Sequence, residues 1–365
     1  MGLKTLLEHQ PPSVSVLAEV KVDLVEPSFI KIQWEKRKSY HFTKLVGEGA
    51  FGEVKQATWT RKDGKKVEVA IKCIPKKLVK LRPEVVYDEM DVLKDLHSDH
   101  VIKIYDWFES KDKYYLVFEL VPGGELFHRI VKLHHFNEHD AATCVKGILD
   151  GVAYLHHRGI CHRDLKPENL LFRSTDPSRL DDIVIADFGV ARHLDSTALT
   201  RTLVGSPGYT APELFNEDGY KGQPADMWSV GVITYALLSG TTPFKGDHMD
   251  SILKEQMTGH IDFSRKIWTG ISQDAKEFIM QCCATSPKKR LTVDEALSHP
   301  WLDKESGRSS HDIGGHVRQT LIESDSLKGS GFVERTLDAH EQEMEDEKNH
   351  IDIQGLGDKL STVEV

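Results

Sequence analysis

Short apolar runs with strand-like alternation fill the chain between residues 40 and 119. The runs are residues 42–48, 53–59, 66–74, 101–108 and 114–119. A glycine-rich turn joins the first two, and the Asp63-Gly64 pair before the third is a hairpin signal. The pattern therefore predicts an antiparallel sheet in this part of the chain.

Helical spacing interrupts the sheet pattern at residues 83–96 and dominates the chain after residue 125. The helix predicted at residues 141–156 collects apolar residues on a single face, namely Ala141, Val145, Ile148, Leu149, Val152 and Leu155. Another apolar helix is predicted from Asp226 to Leu238. Residues 120–124, with the sequence LVPGG, separate the two patterns. The predicted fold class is therefore α+β.

The composition is that of an ordinary soluble enzyme, with 39% hydrophobic and 28% charged residues. The chain contains no run of about 18 apolar residues, so we expect no membrane span. Its amino terminus turns polar after two leucines, which is unlike a signal peptide. Five cysteines are scattered without the spacing of metal ligands. These features predict a cytoplasmic protein with reduced thiols, with nuclear entry open.

Most of the net negative charge belongs to the carboxyl-terminal residues of the chain. The formal net charge is −10, and residues 302–365, which hold seven basic and fifteen acidic residues, contribute −8 of it. The rest of the chain is nearly balanced and contains no basic stripe that could neutralise phosphates. Nucleic acid is therefore excluded as an expected partner.

The stretch HRDLKPEN, residues 162–169, lies between an apolar helix pattern and a short apolar strand pattern, so it is predicted to be a loop. Phosphoryl transfer to a hydroxyl needs a carboxylate to accept the proton, a cation near the moving phosphate and an oxygen ligand for Mg²⁺. Asp164, Lys166 and Asn169 supply these groups in that order.

Two further motifs fit the same chemistry. The glycines of residues 47–54 would let backbone N–H groups approach phosphate oxygens. A dinucleotide fold has similar glycines before a helix, but here a strand and the sequence VAIK at residues 69–72 follow, which argues against that fold. Asp187 begins a DFG sequence at a predicted strand end, 18 residues after Asn169, and is a suitable oxygen ligand for Mg²⁺.

Together with the APE sequence at residues 211–213, these motifs resemble those of the eukaryotic serine/threonine protein kinases. The resemblance covers residues 40–301. It implies a bilobal fold with an ATP cleft between a small sheet lobe with one key helix and a larger, mainly helical lobe. The implied divisions are an extension at 1–39, a small lobe at 40–119, a hinge at 120–124, a large lobe at 125–301 and an acidic tail at 302–365 whose regulatory role is open.

The resemblance also implies roles for individual residues. Catalysis would fall to Asp164, Lys166 and Lys72, and Mg²⁺ to Asn169 and Asp187. ATP would be bound by Val46, Gly47, Glu48, Gly49, Ala50, Phe51, Gly52, Glu53, Val54, Lys72, Glu89, Glu119, Val121 and Glu125. In the family the helix glutamate, here Glu89, pairs with the strand lysine.

Other positions match family residues that switch or support the site. Thr202 corresponds to an activating phosphothreonine, and Arg163 is the natural partner for a phosphate there. Asp226 would bond the backbone of the catalytic loop, and Arg290 would pair with Glu213. Both of these contacts are expected to be structural.

The sequences GELF, PGYTAPE and ALSHPW are most similar to the calcium/calmodulin-dependent kinase group. Glu168 with Glu125 implies a pocket for an arginine three positions before the target Ser or Thr. A calmodulin target is a basic amphipathic helix, whereas the tail is acidic and has Phe332 as its one aromatic residue. Residues 313–322 could form a short pseudosubstrate-like helix. Calmodulin as a partner therefore stays open, and we expect substantial calcium-independent activity.

The function favoured by the sequence is that of an ATP- and Mg²⁺-dependent serine/threonine protein kinase acting on protein substrates, with an upstream activating kinase as a further partner. The alternative is a pseudokinase scaffold. Such chains usually lack an equivalent of Lys72, Asp164 or Asp187, and all three are present. A small-molecule kinase would not be expected to have the APE segment.

Overall fold

The structure is a computed structural model that describes most of the chain between residues 36 and 323. The described residues are 36–49, 52–78, 90, 93–187, 207–215, 222–246, 248–303 and 308–323. They form a sheet-based small lobe and a mainly helical large lobe. The predicted α+β class and the bilobal arrangement are both confirmed.

The small lobe is built on one five-stranded antiparallel sheet with the strand order β1-β2-β3-β5-β4. The strands are β1 (Tyr40–Gly49), β2 (Gly52–Thr60), β3 (Lys66–Pro75), β4 (Ile104–Glu109) and β5 (Lys113–Glu119). Each predicted apolar run corresponds to one strand. Short connections join β1 to β2, β2 to β3 and β4 to β5, which favours antiparallel pairing of neighbours.

The start of β4 was predicted wrongly. The apolar run begins at Val101, but the strand begins at Ile104. Val101 is buried and forms a bridge with Ile185 in the large lobe, and the N–H of Ile102 donates to the carbonyl of Ile185 at 2.9 Å. An apolar pattern reports burial and not the partner strand, so it could not separate these two contacts.

Alternation along β3 separates the two faces of the sheet. The outer face forms its own small core from Tyr40, Ala57, Val69, Ile71, Cys73, Phe108 and Val117. The next positions in β3, Lys72 and Ile74, point to the opposite face, where Ile74 joins the main core. In the register of the sheet Lys72 lies between Val54 and Leu116. The strand period therefore places Lys72 on the face that meets the large lobe.

The large lobe and the segment that follows it contain a two-stranded sheet and seven α-helices among the described residues. The strands are β6 (Leu170–Phe172) and β7 (Ile183–Ile185). The helices are α1 (Leu126–Lys132), α2 (Glu138–His156), α3 (Gln223–Ser239), α4 (Met249–Thr258), α5 (Gln273–Cys282), α6 (Val293–Leu297) and α7 (Gly314–Glu323). Helix α2 starts at Glu138 and not at Ala141 because Asn137 and Asp140 form a reciprocal capping box.

Helix α3 is the centre of the large lobe and packs against α2 and α5. It is apolar on all sides and buried from Ala225 to Ser239, as expected for a helix surrounded by others. It ends at Gly240, whose φ of 76° is a left-handed conformation that glycine adopts readily. Asp226 is a carboxylate in this otherwise apolar helix and is only 1% exposed. Such a group requires hydrogen-bond donors.

Helix α7 follows the large lobe and packs on it. The predicted helix at residues 313–322 is present at Gly314–Glu323. It buries Val317 and Leu321, and the Arg318 guanidinium donates to the carbonyl of Leu133. The carboxylate of Asp312, just before the helix, accepts from the N–H of Phe136 at 3.1 Å. The contacts described for this helix are with the large lobe near α1 and α3.

Candidate active site

Lys72 and Asp187 meet where the two lobes face each other. The ammonium nitrogen of Lys72 lies 2.5 Å from Oδ1 of Asp187, across 115 residues of sequence. The Lys72 side chain is 13% exposed and that of Asp187 is 40% exposed. The pair thus joins strand β3 to the segment after β7 and keeps one carboxylate open to the cleft.

The ion pair controls the charge of Asp187. Burial alone raises the pKa of this carboxyl, but the charge of Lys72 and its hydrogen bond oppose the effect, and the net pKa lies below the ordinary value. Asp187 is therefore anionic at neutral pH. Its φ of 55° is left-handed, a conformation that Asp tolerates better than most residues.

A small apolar pocket lies behind this ion pair. It is lined by Lys72, Ile74, Leu93, Ile104, Leu116, Phe118 and Asp187. Phe118 is 8% exposed and belongs to the main core as well. Phe118 thus belongs to the core and also closes one side of the pocket.

Asp164, Lys166 and Asn169 lie together in the loop between α2 and β6. Nζ of Lys166 is 3.4 Å from Oδ2 of Asp164, and the side-chain amide of Asn169 donates to the backbone carbonyl of Asp164 at 2.8 Å. The carbonyl of Asn169 accepts from the N–H of Ala186 at 2.8 Å. Because Ala186 precedes Asp187, this bond ties the loop to the Lys72–Asp187 pair.

His162 provides a second connection that sequence reasoning missed. Its Nδ1 accepts from the N–H of Asp164 at 3.3 Å, and its Nε2 lies 3.1 Å from the carbonyl of Ala186. This arrangement requires the proton to be on Nε2. The ring is 1% exposed, so it acts as an internal brace between the loop and the end of β7.

Asp226, in helix α3, anchors the catalytic loop at residues 162–169. Its carboxylate accepts from the N–H groups of His162 at 2.9 Å and Arg163 at 2.7 Å, and it bonds Nε2 of His156 at 2.8 Å. Arg163 is held with φ at 64°, an uncommon value for a residue with a side chain. The structure contains the contact with the loop backbone that the resemblance implied. The contact of His156 was not expected from the sequence, where its signal is only a polar residue at the end of an apolar helix.

Glu213 and Arg290 form the other implied structural contact. Two guanidinium nitrogens of Arg290 lie 2.5 and 2.7 Å from the two carboxylate oxygens of Glu213. Arg290 also lies over the ring of Trp228, 4.9 Å from its centroid. This buried, bidentate contact fixes the APE segment to the core of the large lobe.

The described glycines of the glycine-rich stretch lie in the adjoining ends of β1 and β2. In the register Gly47 opposes Val54 and Gly49 opposes Gly52. A Cβ on Gly52 would come within 2.1 Å of the Cys73 carbonyl, so packing requires this glycine. A Cβ on Gly47 would meet nothing within 4 Å, so the fold does not require that one.

Other residues of the turn are placed differently. Val54 lies beside Lys72 on the inner face. Glu53 opposes Cys73 and pairs with Lys113 and Lys55 at 2.9 Å each, so its side chain lies on the outer face. Residues 46 and 48 lie in β1. Ala50 and Phe51, together with Glu89 and Thr202, lie outside the described residues.

The hinge residues adjoin the cleft at its back. The N–H of Glu119 donates to the carbonyl of Lys103 at 2.9 Å. Oε2 of Glu125 is 3.2 Å from Nδ1 of His128. Val121 is partly buried against the main core.

Comparison with known proteins shows the family of the chain. A family model described as the protein kinase domain matches residues 40–302. The chain belongs to the protein kinase family. Its bilobal fold and the convergence of Lys72, Asp164, Asn169 and Asp187 agree with that family.

Curated relatives define the group more closely. The kinase is 40% identical to the calcium/calmodulin-dependent protein kinase cmkA of Emericella nidulans over 328 residues. The aligned region covers 88% of this chain and 77% of the relative. It is 44% identical over 280 residues to a calcium/calmodulin-dependent protein kinase of Metarhizium anisopliae, with coverage of 76% and 70%. Myosin light chain kinase A of Dictyostelium discoideum is 41% identical over 284 residues, with coverage of 76% and 92%.

These relatives confirm the predicted group and the enzyme class. The kinase is a serine/threonine protein kinase similar to calcium/calmodulin-dependent kinases, and it binds ATP and acts on proteins as its family does. The pseudokinase alternative finds no support. Among the helices in the described part of the chain, none has the length and apolar character to cross a membrane.

The oxygen donors of the site suit Mg²⁺. The described residues contain no group of three or more His, Cys, Asp or Glu arranged to hold a metal. The carboxylate of Asp187 and the amide oxygen of Asn169 are hard ligands, and Mg²⁺ in phosphoryl-transfer sites is held by few protein oxygens together with the substrate phosphates. The residues therefore fit this ion.

Proposed function

We propose that the kinase transfers the γ-phosphoryl group of ATP to Ser and Thr hydroxyls of protein substrates in a reaction that requires Mg²⁺. The observation that carries this proposal is the hydrogen-bonded path from Asp164 through Asn169 to Ala186, which ends at the Lys72–Asp187 pair. It links a candidate base, a candidate metal ligand and a candidate phosphate-binding cation in one cleft.

Each residue then has a role that follows from its surroundings. Asp164 orients the acceptor hydroxyl and accepts its proton, and Lys166, 3.4 Å away, offsets negative charge on the moving phosphoryl group. Lys72 binds the α- and β-phosphates. Asn169 and Asp187 would hold Mg²⁺, which when bound neutralises phosphate charge. Catalysis is thus mainly positioning and charge stabilisation.

ATP in this proposal lies beneath the strand pair β1–β2. Gly47 and its neighbours from Val46 to Val54 offer backbone N–H groups to the phosphates, and the open space above Gly47 supports a close approach. The adenine meets the backbone of Glu119 and Val121, and Glu125 reaches the ribose or a substrate side chain.

We further propose that substrates carry an arginine three positions before the target residue. Oε2 of Glu168 is buried and accepts no hydrogen bond within the described part of the chain. Burial, together with the negative charges of Glu125 and Asp164, raises the pKa of Glu168. A guanidinium at this point would supply donors and positive charge, which supports a basic substrate residue.

We also propose how the kinase is regulated. Phosphorylation of Thr202 would supply a phosphate for Arg163, which Asp226 holds in place. Two of the relatives named above are calcium/calmodulin-dependent protein kinases by name, but the sequence of residues 302–365 is acidic and not that of a basic target helix, so we propose substantial activity without calcium and calmodulin. The proposed location is the cytoplasm, with nuclear entry open.

The test uses the full chain and its Asp164→Asn variant on two peptides that differ only in having Arg or Ala three positions before the serine. We expect Asp164→Asn to lower kcat about 10²- to 10⁴-fold with Mg²⁺ and ATP present, while the melting temperature is unchanged. Equal activity of the two proteins, or wild-type activity in excess EDTA, would refute the mechanism.

The same assay tests the finer points. Wild type should prefer the arginine peptide about tenfold in kcat/KM, and Glu168→Gln should reduce that preference with little effect on the alanine peptide. Stimulation of wild type by more than about tenfold on addition of calcium and calmodulin would contradict calcium-independent activity.

A further inference from the structure

Arg173, in the large lobe, bonds residues of the small lobe next to the hinge. It follows strand β6 in the large lobe, and its Nη2 donates to Oε1 of Glu119 at 2.7 Å. Its Nη1 donates to the backbone carbonyl of Asp99. Glu119 ends strand β5 at the hinge, and Asp99 lies in the loop before β4. One side chain of the large lobe thus contacts two separate segments of the small lobe.

Both ends of this contact are held firmly. The carboxylate oxygen of Glu119 that binds Arg173 also accepts from the N–H of Lys103 at 3.0 Å. The loop after Asp99 bonds strand β7, since the N–H of Ile185 donates to the carbonyl of His100 at 2.9 Å. The backbone N–H of Arg173 donates to the carbonyl of Asp182 at 3.0 Å within the same two-stranded sheet. Because the loop that contains Asp99 is itself bonded to the large lobe, a change in the angle between the lobes would strain or break chiefly the contact between Arg173 and Glu119.

We propose that Arg173 is a positioning residue that holds the hinge backbone for the adenine and thereby sets nucleotide affinity. The proposal rests on the contact of adenine with Glu119 and Val121 put forward above. Nucleotide release in two-lobed enzymes accompanies opening of the cleft, and a contact across the hinge opposes opening.

Exposure limits the size of the effect. The side chains of Arg173 and Glu119 are 30% and 17% exposed, so water screens part of their attraction. A charged hydrogen bond in such a setting supports a change of about three- to tenfold in affinity. The purely structural alternative, an ion pair that only stabilises the fold, predicts a lower melting temperature and unchanged nucleotide binding.

The experiment compares Arg173→Met with Arg179→Met. Arg179 lies in the same connection between β6 and β7, where it pairs with Asp181 at 3.1 Å on the surface, which makes it a matched control. ADP dissociation constants are measured by calorimetry, and KM for ATP and for peptide by steady-state kinetics. For Arg173→Met we expect the ADP Kd and the ATP KM to rise about three- to tenfold, with peptide KM within about twofold of wild type. Arg179→Met should match wild type, and Arg173→Lys should be intermediate.

A double-mutant cycle with Glu119→Gln tests whether Arg173 acts through Glu119. The amide oxygen of Gln can still accept from Lys103, whereas the ion pair is lost. Adding Arg173→Met to Glu119→Gln should change the ADP Kd by less than about twofold. The proposal is overturned if Arg173→Met leaves ADP binding unchanged, if Arg179→Met has the same effect, or if the two substitutions act additively. A wild-type chain that binds no ADP would instead refute the proposed function.

Discussion

Two aspartates that support the active site, Asp226 and Asp187, are held in contrasting ways. Asp226 is 1% exposed, and three donors from the catalytic loop and helix α2 satisfy its carboxylate. Asp187 is 40% exposed at its side chain and lies against Lys72 from the other lobe. The first carboxylate is enclosed by its three donors, and the second is partly exposed at a point that a ligand in the cleft could reach. A carboxylate can therefore be structural or functional according to what its neighbours leave open.

Two glycines, one in each lobe, differ in a similar way. Gly231 in helix α3 packs so closely on α5 that a Cβ would lie 2.6 Å from Sγ of Cys283 and 2.7 Å from Cβ of Cys282. Gly47 in β1 has open space where its Cβ would be. Packing explains the first glycine, whereas the second has its explanation in the approach of a ligand.

The largest expected effect comes from removing the buried carboxylate. Asp226→Ala leaves the N–H groups of His162 and Arg163 without their acceptor in a dry environment, and we expect a loss of about 3 kcal/mol in the free energy of unfolding. The loop would also lose its orientation, so kcat should fall with it. Urea denaturation and steady-state kinetics measure the two quantities.

Asp294→Ala is the matched control for this prediction. Asp294 also bonds a histidine, His157, at 3.0 Å, but their side chains are 68% and 57% exposed. Solvation replaces such a contact, so stability and kcat should not change measurably. Similar losses for the two variants would show that burial does not distinguish these pairs.

A smaller effect separates the two glycines. Gly231→Ala should destabilise the protein by about 1 to 3 kcal/mol through overpacking, with KM for ATP unchanged in the folded enzyme. Gly47→Ala should leave the melting temperature unchanged and raise KM for ATP about tenfold, because the methyl group would keep phosphate oxygens away from the backbone. If Gly47→Ala destabilised the fold and spared KM, the ligand explanation for this residue would be wrong.

The smallest effect is a pH dependence at the Lys72–Asp187 pair. Because the pKa of Asp187 is lowered in the folded protein, the pair stabilises the fold above the ordinary Asp pKa of about 4. That stability is lost as the pH falls through the lower folded pKa. The difference in unfolding free energy between wild type and Lys72→Met should therefore be present at pH 7 and shrink below about pH 4.

Lys146→Met serves as the comparison for that measurement. Lys146 bonds Asp150 at 2.9 Å one turn along the surface of α2, and its side chain is 51% exposed. Its replacement should have little effect at either pH. A wild-type advantage over Lys72→Met that is constant from pH 7 to the acid range would rule out the ion pair as its source.

Much of this fold could be predicted because its signals are local. Strand alternation located all five strands of the small lobe, and helical spacing located α2, α3 and α7 within a few residues. The errors lie at places where a partner decides the outcome. Val101 has the pattern of a strand residue but bridges to Ile185, and the start of α2 is set by the side chains of Asn137 and Asp140.

In the candidate site, too, the residues could be predicted but some of their contacts could not. Motif spacing and family resemblance named Lys72, Asp164, Asn169 and Asp187 before any distance was known. They gave no indication that His156 bonds Asp226 or that Arg173 reaches Glu119. Nothing local marks a surface arginine or a helical histidine as a long-range partner.

The sequence by itself determined the secondary structure, the chemistry of the catalytic loop and the family, because periodicity and motif spacing are properties of short segments. Only the tertiary structure decided which groups meet: Lys72 with Asp187 across 115 residues, Asp226 with His156, and the hinge with Arg173. These contacts depend on how the sheet and the helices pack, and packing is settled by shape and burial over the whole chain.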